Sequence, residues 1–206
     1  MNAHPFGAKT FRVLAFALAL AAAPAAQATV TVYQASLSGA AESPPNPSAG
    51  TGTATVTYDN VAHTLLLSLL FSGLTGTTTA SHIHAPTATP GTGTAGVATT
   101  TPTFAGFPLG VTSGSYTNTL DLTLASSYNP AYVTANGGTT AGAEAAFAAA
   151  LGSGRAYWNI HTTQFAGGEI RGFLTAVPEP ASWMMMLIGF GVAGGALRNR
   201  KRRAYA

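Results

Sequence analysis

The chain has no cysteine among its 206 residues, which excludes disulfide scaffolds, thiolate zinc sites and thiol nucleophiles together. Charge is almost as scarce: 7% of residues are Asp, Glu, Lys or Arg, against about 25% in an ordinary soluble domain. Between residues 29 and 177 two cations, Arg155 and Arg171, face five anions, Glu42, Asp59, Asp121, Glu144 and Glu169, a net of −3. The formal +3 of the whole chain thus belongs to its ends. A nucleic-acid surface needs clustered Lys and Arg to displace counterions from phosphate, so no nucleic-acid partner is expected. No G-x-S-x-G elbow is present, and the five scattered acids form no local carboxylate pair, so hydrolytic and glycosidic chemistry lack a motif. Gly91-Thr92-Gly93-Thr94-Ala95-Gly96 matches G-x-G-x-x-G literally. A run of threonines follows it where a dinucleotide site needs a helix, so it reads as a surface loop.

What is present is ordered along the chain. Residues 1–28 combine Lys9 and Arg12, an apolar run from Val13 to Ala23, and Ala26-Gln27-Ala28, the three parts of a secretory signal that signal peptidase removes. Residues 177–206 begin with Val177-Pro178-Glu179-Pro180, continue through an apolar stretch from Ala181 to Leu197, and end in Arg198-Asn199-Arg200-Lys201-Arg202-Arg203. At ~1.5 Å per residue that stretch makes a helix of about 25 Å, a marginal transmembrane span with its basic end in the cytoplasm. This order resembles the PEP-CTERM sorting signal, with Pro178, Glu179 and Pro180 as the motif. The resemblance implies an exosortase-type sorting enzyme as partner, a link to extracellular polysaccharide, and an exported protein. It would be anchored in the inner membrane before processing and then reach the cell surface or the extracellular space.

Residues 29–176 are rich in Thr, Gly, Ala and Ser and alternate apolar with polar residues, as half-buried strands do. Tyr33, Ala35 and Leu37 form one such segment, Ala54, Val56 and Tyr58 a second, and Leu120, Leu122 and Leu124 a third. Thr64 to Leu74 is nearly continuous in apolar residues and predicts a central strand covered on both faces. Ala141 to Leu151, Ala-rich and followed by Gly152, predicts one short helical insertion. The fold class expected is mainly β, an antiparallel sandwich or barrel with that insertion, plus the C-terminal transmembrane helix.

Three segments concentrate the chemistry. His82-Ile83-His84 places two imidazoles on one side of a strand and Ile83 on the other. Tyr157 to Thr162 puts Trp158 and Ile160 on one face and Tyr157, Asn159 and His161 on the opposite one. Glu169 and Arg171 share a face, with Ile170 opposite, and are read as a structural ion pair. Leu37 to Pro45, Ser72-Gly73-Leu74, His82-Ile83-His84, Tyr157 to Thr162 and Gly168 to Gly172 together resemble the opening, middle and close of the CHRD domain. The likeness runs from residue 32 to 175, with residues 126–154 longer than is usual for that domain. It implies an extracellular β-sandwich, immunoglobulin-like or superoxide-dismutase-like, with no settled biochemical role.

Two functions follow as expectations. The first is a non-enzymatic surface or matrix module in which the histidines are structural. The second is a copper- or zinc-binding module using His82, His84 and His161, with water or Glu169 in a fourth position. A two-metal oxidoreductase like superoxide dismutase needs more histidines than the four, His63 included, that remain after residue 28.

Overall fold

Alternating patterns become strands of one antiparallel sheet. The computed structural model describes residues 30–178 and 185–192. Its eight strands are β1 (Val30–Ser38), β2 (Thr51–Asp59), β3 (Thr64–Ser72), β4 (Thr78–His84), β5 (Gly114–Asp121), β6 (Tyr157–Thr162), β7 (Ile170–Phe173) and β8 (Thr175–Ala176). They lie in the order β4-β6-β7-β1-β2-β3-β5, with β8 also on β1, and every pairing is antiparallel. The expected sandwich or barrel is thus one continuous sheet curled into a half-barrel rather than two packed sheets.

The concave face holds the core. Tyr33, Ala35 and Leu37 of β1, Ala54 and Val56 of β2, and Leu65, Leu67, Leu69 and Phe71 of β3 are buried there. Trp158, Ile160 and Ile170 join them from β6 and β7 with no exposed surface. The Trp158 indole N–H, which would be costly to bury unpaired, donates to Ser81 Oγ at 2.7 Å. β3 corrects the expectation of a strand covered twice: its buried residues alternate with Leu66 and Leu70, 42% and 63% exposed. Two of the five leucines in β3 thus face water. The third alternating segment also stops short, because β5 ends at Asp121; Leu120 and Leu122 are buried but Leu124 is exposed.

A curled sheet that does not close leaves two edges, here β4 and β5, and the backbone groups of β4 need partners. The long connection from β4 to β5 satisfies it. Ala98 N–H donates to Ile83 O (2.9 Å), Phe104 N–H to Ser81 O (3.1 Å) and Gly110 N–H to Thr78 O (2.8 Å). The same connection delivers Phe104 and Phe107 to the core.

The insertion contains two helices where one was expected. α1 (Pro130–Ala135) starts at Asn129, whose side chain accepts from Ala131 N–H (3.0 Å), with Pro130 in the first turn. α2 (Thr140–Gly152) starts at Thr139, whose hydroxyl accepts from Gly142 N–H (3.1 Å). Ala143, Phe147, Ala150 and Leu151 of α2 and Tyr132 of α1 are buried in the core.

Residues 1–28, Glu179, Pro180 and the basic cluster lie outside the described residues, and Pro178 is at their border. Of the apolar C-terminal stretch only 185–192 is described, as an exposed helical segment. No helix among the described residues is long and apolar enough to cross a membrane, so the expected transmembrane helix is not established there.

Candidate metal centre

The outward-facing side chains of β4, β6 and β7 form the site. Pairing sets His82 opposite Asn159, His84 opposite Tyr157, and Asn159 opposite Arg171. An outer sheet face ordinarily meets water, but here the turn at Gly39–Ala41, the β4–β5 connection and the β6–β7 turn fold over it. His82, His84, Asn159 and Arg171 are all buried as a result, and His161 is partly buried.

The three histidines that the sequence singled out converge. His82 lies 4.7 Å from His161 and 4.9 Å from His84 between ring centroids, and His84 lies 5.9 Å from His161. One nitrogen from each ring falls within 4.8 Å of the other two. Backbone carbonyls orient the rings: His84 Nδ1 bonds Ala95 O (2.8 Å), His161 Nδ1 bonds Ala166 O (2.9 Å), and His82 bonds the Pro102 carbonyl. A carbonyl only accepts, so each of these ring nitrogens carries the hydrogen and the other carries the lone pair. Those other atoms, His82 Nδ1, His84 Nε2 and His161 Nε2, are buried without any hydrogen-bond partner.

Burial keeps the rings neutral. It pushes His82 down to about 3, helped by the neighbouring His161 and His84. It pushes His84 down to about 4 against the Ala95 bond, and it lowers His161 as well. Three neutral imidazoles, each locked by a carbonyl on its far side, are the arrangement that a bound transition metal requires. Small ring rotations would bring the nitrogens to the ~3.3 Å separation set by metal–nitrogen bonds of ~2.0–2.1 Å. Behind His84 the Tyr157 ring stacks at 4.8 Å and 3°, and the Arg171 guanidinium lies 4.7 Å above that ring.

Glu169 and Arg171 do not form the expected pair. Glu169 is fully buried and accepts from Ser48 Oγ (2.6 Å), Thr162 Oγ1 (2.6 Å), Thr75 N–H (2.5 Å) and Gly76 N–H (3.0 Å). Burial alone would raise its pKa, yet these four donors hold the carboxyl below its ordinary value. With both oxygens engaged, Glu169 is a clamp between three chain segments and not a metal ligand. Arg171 instead donates from Nε to Ala41 O (2.5 Å) and from Nη1 to Gly93 O (2.9 Å), with Nε 3.8 Å from Glu42 Oε2. Burial pushes Glu42 up to about 7, against the lowering effects of Arg171 and the Ser43 amide.

The sequence did not mark Glu42 as part of the site, nor the carbonyls of Gly93, Ala95, Pro102 and Ala166. Gly93 and Ala95 fall inside the Gly- and Thr-rich stretch read as surface loop, and carbonyl acceptors leave no trace in side-chain identity. His63 stays apart: its Nδ1 bonds Glu144 (2.9 Å), at the turn between β2 and β3.

Comparison with known families assigns residues 33–174 to the CHRD domain and residues 176–203 to the PEP-CTERM protein-sorting motif. No curated protein matches the chain, and no solved structure does. The sorting motif implies processing by an exosortase and indicates export with membrane-associated sorting. With the match spanning β1 to β7 and every residue of the histidine cluster, the chain belongs to the CHRD domain family.

Proposed function

We propose that this exported protein is a non-enzymatic surface module whose CHRD domain binds one copper or zinc ion through His82, His84 and His161. One observation carries the reading. Three ring nitrogens, each the lone-pair-bearing one, meet in a buried space with nothing to accept from. A buried polar atom without a partner costs about 1–3 kcal/mol, so three in one place call for a ligand. Imidazole nitrogen suits Zn²⁺ and Cu²⁺. A purely structural role for these histidines accounts for the carbonyl bonds but leaves the inner nitrogens unexplained.

The test is metal-dependent thermal unfolding of the full-length chain. Ion at 100 times its Kd should add about 2.7 kcal/mol by mass action, seen as a rise in Tm. His84→Ala and His161→Ala should each abolish that rise, and His63→Ala should keep it. Wild type that binds neither ion at micromolar concentration near pH 7.5 would refute the proposal.

A further inference from the structure

Among the described residues six buried side-chain atoms lack a hydrogen-bond partner, and five of them lie on this one face: the three histidine nitrogens, Asn159 Oδ1 and Glu42 Oε1. A metal ion satisfies the three nitrogens and leaves the two oxygens as they are. Asn159 stands beside the nitrogens, opposite His82 in register and two residues before His161 on the same strand face. Its amide is 97% buried. Glu42 comes next: a Cβ on Gly168 would sit 2.6 Å from Asn159 Nδ2 and 2.7 Å from both Asn159 Oδ1 and Glu42 Oε1. Gly168, at φ 132°, thus roofs a small space in which both oxygens end. Oε1 is directed there because the other carboxylate oxygen, Oε2, faces Arg171.

All five atoms are acceptors, and that restricts what completes the site. We infer that the fourth ligand of the histidine centre is a water molecule, held by Asn159 Oδ1 and Glu42 Oε1 in preference to any anion. The inference rests on the metal reading above. Water has a lone pair for the ion and one hydrogen for each of the two acceptors. An anion such as azide or chloride presents only lone pairs to the Glu42 carboxylate, and is repelled by its charge. Glu42 and Asn159 are positioning residues here, acting on the ligand rather than on the ion.

The experiment uses the full-length chain loaded with Cu²⁺ and two readouts: relaxation of bulk water protons, and azide binding followed by its charge-transfer absorption. Wild type should show enhanced water relaxation, a sign of an exchanging water ligand, and should bind azide weakly. Glu42→Gln and Asn159→Leu should each bind azide about tenfold more tightly, since the one removes charge and the other an acceptor. Asn159→Leu leaves the charge and the Glu42–Arg171 contact in place, so it tests the geometry even where Glu42→Gln loosens the fold. Azide affinity unchanged in both variants would mean that the Asn159 amide is turned to donate to Glu42 in a closed structural pair, and the inference would be overturned. So would copper-loaded wild type without water relaxation. In either case copper binding that still requires His84 leaves the metal reading standing, whereas copper binding indifferent to His84→Ala sinks both.

Discussion

At the scale of single residues, Glu169 shows how neighbours decide a role. From sequence it shares a face with Arg171 and reads as its partner. In the fold its carboxylate takes four donors from the segments around Ser48, Thr75 and Thr162, while Arg171 turns to two carbonyls and Glu42. Removing the carboxylate strands buried amides and hydroxyls, so Glu169→Ala should cost at least about 3 kcal/mol in urea unfolding. The double-mutant cycle separates the two readings. Direct coupling between Glu169→Ala and Arg171→Met should stay below about 0.5 kcal/mol, and a value above about 1 kcal/mol would restore the ion pair.

At the scale of elements, strand patterns were legible where one face is buried. β1 and β2 bury the residues that alternation selects, and Trp158 and Ile160 of β6 point inward as expected, although β4 and β6 are covered on the second face as well. Pattern failed at β3, because leucine density does not say whether anything covers the second face. The insertion was legible as α2 and missed as α1, whose six residues are too few for periodicity to register. Its weight in the core is a prediction. Phe147 has 1% exposure and lies in the main hydrophobic cluster, so Phe147→Ala should cost about 3–5 kcal/mol, as should Trp158→Ala. A loss for Phe147→Ala below about 1 kcal/mol in chemical denaturation would make the helix an ornament on a core already complete without it.

At the scale of the whole molecule, the buried site couples stability to pH. In metal-free protein His82, His84 and His161 keep pKa values below the ordinary 6.5, because burial penalises their charged forms. Between pH 6.5 and about 4 the unfolded chain therefore binds protons that the folded one refuses, and stability falls as pH falls. Glu42 acts in the other direction. Its raised pKa favours the folded state below the ordinary 4.5, and that contribution is lost as pH rises through about 7. Three groups outweigh one, and Glu169, held low, adds to the loss in acid. The Tm measured in EDTA should drop steadily from pH 7 to pH 4, beginning near 6.5. A Tm that climbs over that interval would mean the histidines are not buried as neutral rings.

The amino-acid order by itself determined the address, the β class and the three histidines. Each of these is written in local signals: a Pro-Glu-Pro motif followed by apolar and basic runs, a period of two, and an H-x-H placed on one strand face. Only the tertiary structure decided what those histidines face. Their carbonyl anchors, the covering turns and the unpaired oxygens of Asn159 and Glu42 come from segments spread along the chain from Gly39 to Ala166. Backbone groups supply most of the anchoring, and a backbone carbonyl has no sequence signature, so the chemistry of the site emerges only when the sheet curls and its outer face is covered.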